Sequence, residues 1–424
     1  MLQLQYIREN KETVIKGLQK KRFAQAETSV DQLIELDRRR RETQSEMDAT
    51  LAKSNNLAKE IGALMKAGKK EEAEKNKSET GQLKTRSKEL SDGLEKIEQE
   101  LQALLVTLPN LPHSSVPEGK TAEDNETVYQ HGGIPELTES ALPHWDLIKK
   151  YDIIDFELGV KISGAGFPVY KGKGARIQRA MINFFLDEAL KAGYYEIQPP
   201  IVVNEASGFG TGQLPDKEGQ MYFASADGLY LIPTAEVPIT NIYRDVILNE
   251  SDLPVKNVGY TPCFRREAGS WGAHVRGLNR LHQFDKVEIV QVQKPDNSYK
   301  ALEEMSKHIQ SLLQKLELPY RVLRLCGGDM GFTSALTYDM EVYSAAQKRW
   351  LEVSSVSNFE TFQANRLKLR YRDENKKTQL LHTLNGSALA LPRILAAILE
   401  NNQSEKGIAV PKVLQPYTGF DRID

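Results

Sequence analysis

The sequence predicts an α+β chain, in which a long antiparallel helical hairpin precedes a domain built on an antiparallel β-sheet flanked by helices. Three observations predict it. A proline-free run from Val30 to Leu105 repeats its apolar residues at alternating steps of three and four, the pattern of helices packed along a coiled-coil seam. A Pro-rich, polar boundary follows that run. Beyond the boundary, strand-like runs outnumber the crossover helices that a doubly wound parallel sheet requires.

The hairpin reading rests on two seams. Met47, Leu51, Ser54, Ala58, Ile61 and Met65 form one, and Ala73, Asn76, Thr80, Leu83, Ser87, Leu90, Leu94, Ile97, Leu101 and Leu104 form the other. Between them, Lys66-Ala67-Gly68-Lys69-Lys70 reads as a turn joining two helices of about 35 residues, each roughly 50 Å long at 1.5 Å per residue. The arm then covers about residues 28–105 of a first domain spanning 1–108, and a second domain spans 109–424. Ten basic residues lie between Lys53 and Lys88 (Lys53, Lys59, Lys66, Lys69, Lys70, Lys75, Lys77, Lys84, Arg86 and Lys88) against five acidic ones. On charge alone this is either a solvated coiled-coil surface or a local site for nucleic acid.

Composition bounds the class. With 40% hydrophobic and 27% charged residues, and no run near the roughly 20 apolar residues of a membrane span, the sequence reads as globular, with no membrane partner. Met1 to Gln25 carries no secretory pattern, so a cytoplasmic location is expected. Cys263 and Cys326 are too few for a disulfide framework and too far apart for a zinc knuckle; they read as structural thiols, and no zinc is expected. A net charge of −2 carries no global sign of nucleic-acid binding.

Leu108-Pro109-Asn110-Leu111-Pro112-His113, Pro117 and the polar run Glu118 to Glu126 form the linker. A helix is expected over about Gly174 to Lys191 with Ile177, Ala180, Met181, Phe184, Phe185 and Leu190 inward, ended by Gly193. Leu229 to Pro233 and Lys286 to Val292 read as strands. Neither a Gly-x-x-x-x-Gly-Lys-Ser/Thr loop nor a Gly-x-Gly-x-x-Gly after a strand is present, so the common nucleotide folds are not indicated.

The stretch Thr261 to Val290 carries the most chemistry: two strand-like ends around a Gly-rich, basic loop. Strand residues two apart share a face, so Arg265 pairs with Glu267 on one strand, and Arg280, Phe284 and Glu288 share parity on the return. Guanidiniums suit phosphate oxygens, an aromatic face suits a purine, and a carboxylate suits an ammonium or exocyclic amine. Taken alone, the same residues also suit a surface ladder of cross-strand ion pairs.

Phe264-Arg265-Arg266-Glu267 followed by Arg280-Leu281-His282-Gln283-Phe284 resembles motif 2 of the class II aminoacyl-tRNA synthetases. Gly193 to Pro200 resembles motif 1, the dimer-interface element. Asn385 to Arg393 resembles motif 3, with Ala388 and Ala390 at glycine-like positions and Pro392 before the arginine. Thr234-Ala235-Glu236 and Thr383-Leu384-Asn385-Gly386-Ser387 make the chain similar to the seryl-tRNA synthetases, whose tRNA-binding arm the hairpin matches.

The resemblance implies that Thr234, Ala235, Glu236, Glu288 and Ser387 bind serine. It implies that Arg265 and Arg393 are catalytic, with Arg265 on the α-phosphate of ATP and Arg280 and Arg393 toward the outer phosphates. Arg266 and Glu267 complete motif 2, with Glu267 near adenine and Phe284 stacked on it. Glu352-Val353-Ser354-Ser355 resembles a further ATP segment, with Glu352 the carboxylate for magnesium. L-serine, ATP with Mg²⁺, tRNA(Ser) and a second copy of the chain are the implied partners, and whether tRNA(Sec) is also charged is left open by the resemblance. His274 and His282 are not needed as bases, because the substrate carboxylate is already a nucleophile. A ligase acting on a carrier protein and a non-enzymatic coiled-coil scaffold are the alternatives. The unbroken arm argues against the first, and the ordered motifs against the second.

Overall fold

The computed structural model describes residues 1–216, 219–267 and 275–424. The chain forms two compact units, Met1–Pro109 and Asn110–Asp424.

The first unit opens with α1 (Leu4–Glu9) and α2 (Lys11–Lys20), which pack against the start of α3 (Ala26–Lys66). α3 turns at Gly68, whose φ of +76° suits a residue without Cβ, and α4 (Lys70–Leu105) returns along it. The two helices are 41 and 36 residues long. The second seam is observed as expected, with Ala73, Thr80, Leu90, Leu94, Ile97 and Leu101 buried. The first seam is shifted. Leu51, Ala58 and Met65 are exposed, and Thr50, Leu57 and Leu64 are the more covered residues beside Met47, Ser54 and Ile61. Two neighbouring columns of α3 are both apolar enough to serve, and packing against α4 selects between them.

The second unit is centred on eight strands: β1 (Glu126–His131), β2 (Tyr195–Glu196), β3 (Val255–Phe264), β4 (Gln283–Gln293), β5 (Tyr320–Arg324), β6 (Leu336–Ser344), β7 (Arg349–Asn358) and β8 (His382–Ala390). Their order in the sheet is β1-β5-β6-β7-β8-β4-β3-β2, and every pairing is antiparallel except β2 with β3. Four helices cover its core: α5 (His144–Lys150), α6 (Gly172–Lys191), α8 (Ser298–Lys315) and α9 (Leu391–Asn401), while the short α7 (Glu236–Asn241) packs on β4. α6 starts two residues earlier than expected and buries Ile177, Met181, Phe184 and Phe185, but Leu190 is 43% exposed.

Strand alternation places the site. Along β4, Val287 and Ile289 enter the helix-covered core while Phe284, Lys286 and Glu288 line a cavity. β8 repeats the division: Leu384 and Ala388 are in the core, and Asn385 and Ser387 line the cavity. β3 does not continue through Arg265 to Glu267: strand geometry ends at Phe264, and Glu267 has φ +49°. Strand parity therefore does not bring Arg265 and Glu267 together; the turn out of β3 does.

Candidate active site

A cavity of about 630 Å³ opens over β4 and β8. Its amino-terminal wall is Thr234 and Glu236 at the start of α7, its floor Phe284, Lys286 and Glu288, and its far wall Asp339, Glu352 and Ser355 on β6 and β7. Arg265, Glu267, Arg280, Val353, Ser354, Ser387 and Arg393 also line it. Of the residues singled out in the sequence, Arg266 and Ala235 do not line the cavity. The Arg266 backbone N–H donates to Gln220, and Ala235 is packed with Ile239 and Val290 in a small core.

At one end the polar groups are deeply buried and matched. Glu288 faces Ser387 across β4 and β8; its carboxylate accepts from Ser387 Oγ at 3.2 Å and Asn385 Nδ2 at 3.1 Å. Lys286 Nζ lies 2.8 Å from Glu288 and donates to Thr234 Oγ1 at 2.8 Å. Glu236 accepts from Gln363 Nε2 at 2.6 Å, and Gln363 is held in turn by Thr383 Oγ1 at 2.7 Å. Burial raises the Glu236 carboxyl to about 7, with the facing charge of Glu288 adding to the rise and the Gln363 hydrogen bond opposing it. Two carboxyls against one ammonium leave this end able to take one further cation of ammonium size.

The other end is rich in guanidinium. Arg265 covers the Phe284 ring at 5.3 Å, and Arg280 pairs with Glu267 at 2.6 Å. Arg393, in the first turn of α9 after Pro392, donates from Nε to the Asn279 carbonyl at 3.0 Å and from Nη1 to the Glu352 carbonyl at 2.8 Å. Proline at this helix start is tolerated because its missing N–H is unneeded there. Ser355 Oγ donates to Asp339 at 2.5 Å. Burial and the nearby Glu352 charge push Asp339 well above the usual carboxylate range. Ser354 Oγ donates to the Ser387 carbonyl at 2.6 Å.

His282 has a structural setting: its Nδ1 meets Tyr222 Oη at 2.6 Å and its ring stacks on Phe167. His274 lies outside the described residues. Both cysteines are buried free thiols. Lys286, Asp339, Asn279 and Gln363 were not singled out from the sequence. Lys286 was within reach, since it shares strand parity with Phe284 and Glu288.

Residues 223–402 match the family model for the tRNA synthetase class II core domain (G, H, P, S and T), and residues 1–112 match that for the seryl-tRNA synthetase N-terminal domain. A serine–tRNA ligase of Salinibacter ruber is 51% identical over 100% of this chain and 99% of its own. The chain belongs to the seryl-tRNA synthetase family. Another member, from Carboxydothermus hydrogenoformans, is 45% identical with 100% and 99% coverage. Among solved structures, seryl-tRNA synthetase from Pyrococcus horikoshii complexed with ATP superposes with a TM-score of 0.94 at 34% identity, covering 100% of this chain and 99% of that one. The cytoplasmic enzyme of Naegleria fowleri in complex with AMP gives 0.86 at 28% identity, again with 100% and 99% coverage.

Proposed function

We propose that this chain is a serine–tRNA ligase: it activates L-serine with ATP and transfers the seryl group to the 3′ end of tRNA(Ser). The observation that carries the reading is one cavity with a buried, net-anionic pocket at one end and a cluster of arginines around an aromatic ring at the other. Membership of the family supports it.

In this reading the serine ammonium is taken between Glu236 and Glu288, and its hydroxyl reaches Thr234 or Ser387. Those hydrogen-bonding groups reject an analogue without the hydroxyl more strongly than sterics reject an added methyl. Adenine stacks on Phe284 in place of the Arg265 guanidinium, which turns to the α-phosphate; Arg280 and Arg393 take the outer phosphates. A serine carboxylate oxygen attacks the α-phosphorus, the bond to the bridging oxygen breaks, and pyrophosphate leaves with seryl-adenylate formed. The terminal ribose hydroxyl of tRNA then attacks the acyl carbon, AMP departs, and the hydroxyl proton is released. Positioning and charge stabilisation supply the catalysis.

Magnesium fits the far wall. Glu352 would hold it, beside Asp339, which burial first and the Glu352 charge second push well above the usual carboxylate range. Among the described residues there is no cluster of three or more metal-ligating side chains, which suits an ion that keeps water and substrate phosphates as its other ligands. Bound there, it would neutralise phosphate charge.

The units divide the work: residues 1–108 hold tRNA through the arm, and 109–424 carry the adenylate chemistry, with two copies forming the working enzyme in the cytoplasm. Among the described residues no helix is long and apolar enough to cross a membrane. The test is amino-acid-dependent ATP–pyrophosphate exchange across all twenty amino acids, followed by tRNA charging. Serine-dependent exchange is expected without tRNA; exchange driven by a different amino acid overturns the reading.

A further inference from the structure

The turn before Arg280 is tied into the protein by a buried polar network. His144, on α5, and Glu400, at the end of α9, are both fully buried. His144 donates its backbone N–H to Glu400 Oε1 at 2.9 Å, and its Nδ1 lies 2.7 Å from the same oxygen. Its Nε2 lies 2.8 Å from the backbone nitrogen of Leu278. A backbone N–H can only donate, so Nε2 accepts and the ring proton sits on Nδ1, directed at Glu400. The imidazole is therefore a neutral bridge between helix and turn. A Cβ on Gly277 would come within 2.3 Å of Nε2, so the turn passes as close to the ring as a glycine permits. Trp145, next on α5, grips the same segment through the Arg276 guanidinium 4.9 Å from its ring.

A second route joins the same partners. Gln347 Nε2 donates to Glu400 at 3.0 Å and to Ser344 Oγ at 2.8 Å, and Ser344 itself donates to Glu400. Gln347 Oε1 accepts from Asn279 Nδ2 at 2.9 Å. The Asn279 carbonyl receives Arg393 Nε, and Arg393 stands on the same helix as Glu400. The circuit Arg393, Asn279, Gln347, Glu400 thus closes through α9.

We infer that the buried His144–Glu400 pair, with Gln347, is a positioning network that sets the 277–279 turn and through it the guanidiniums of Arg280 and Arg393. None of the three touches the cavity; they act through Leu278 and Asn279, which line it. The serine end is held separately by β4, β8 and Gln363, so the network bears on the nucleotide and not on serine. This inference rests on the proposed ATP site.

The two nitrogens of His144 can be tested apart. His144→Asn keeps a donor at the Nδ1 position and leaves the Leu278 N–H without an acceptor; His144→Gln restores an acceptor at the Nε2 position. For His144→Asn, ATP affinity by titration calorimetry and the ATP KM in pyrophosphate exchange should worsen about ten- to a hundredfold, with the serine KM unchanged. His144→Gln should recover most of the loss. A folded His144→Asn with wild-type ATP affinity, or parallel losses for ATP and serine, overturns the inference. Should His144→Asn not fold, the half-buried Gln347→Leu cuts Asn279 from Glu400 and must show the same selective loss, and a non-selective one overturns it. If the wild-type protein shows no serine-dependent exchange, the proposed function falls, and calorimetry with ATP still decides the network.

Discussion

Lys53 and Glu79 meet at 2.8 Å on the hairpin, with 60% and 36% of their side chains in water; Lys286 and Glu288 meet at the same distance in the cavity with 6% and 1% exposed. Equal geometry hides unequal energetics. On the hairpin, solvent screens the pair and the long side chains lose entropy in forming it, so it contributes little. In the cavity each charge has lost its water and depends on its partner, so removing one strands the other. The arm's ion pairs are thus weakly held, as the proposed tRNA contact requires. The charges of the cavity are committed to one another until a substrate completes them.

Replacing residues 35–102 with a short Gly-Ser linker should show the largest separation of the two regions. Charging of tRNA is expected to fall by about a thousandfold, as loss of several phosphate contacts implies, while serine-dependent pyrophosphate exchange persists. A truncated protein that charges tRNA as well as the full chain breaks the comparison. Next comes Arg265→Ala, where loss of a preorganised donor to the α-phosphate should slow exchange by about a hundred- to a thousandfold. Rapid-quench measurement of adenylate formation reads it directly.

Lys286→Met, which leaves Glu288 buried without its cation, should destabilise the sheet unit by about 3 kcal/mol, read as a lower denaturation midpoint at unchanged slope. A pH series probes the same cluster. Because Glu236 is raised to about 7, proton uptake below that value removes a charge facing the serine ammonium. The serine KM should then rise toward about tenfold per pH unit. Stability runs the other way. A carboxyl with its folded value raised favours the folded state most below the unfolded value, and that contribution is lost as pH rises through about 7. Melting curves of the serine-free protein against pH check this sign. At the bottom of the scale, Lys53→Ala should leave the melting temperature unchanged, and a clear drop would mean that the arm's pairs are not simply surface charges.

The hairpin was legible because coiled-coil periodicity is local, and the strand-to-helix passage into Arg393 because its motif is contiguous. The register of α3 was not. Leu51, Ala58 and Met65 compete with Thr50, Leu57 and Leu64, and only the opposing helix decides between them. In the cavity, most of the residues named from motifs line one space, but the groups that hold them come from distant sequence. Gln363 reaches Glu236 across 127 positions, Gln347 reaches Glu400 across 53, and Asp339 enters from β6. Such partners carry no periodic or motif signal of their own. Arg265 and Glu267 came together for a reason other than the one expected, because the backbone leaves strand geometry after Phe264 and turns at Glu267.

The seam of the hairpin is unevenly filled. Leu90, Leu94, Ile97 and Leu101 are buried near its open end, while toward Gly68 the apolar Leu57, Ile61 and Leu64 are only half-buried and share the seam with Ala73 and the small polar Ser54, Asn76 and Thr80. Small polar side chains bury little apolar area, so cohesion between the helices declines toward the turn. The arm is then mechanically graded, stiff at its root and compliant at its tip. Amide protons of the outer turns should exchange through local opening well before those around Ile97. A load at the tip should then splay the last turns first and leave the root in register.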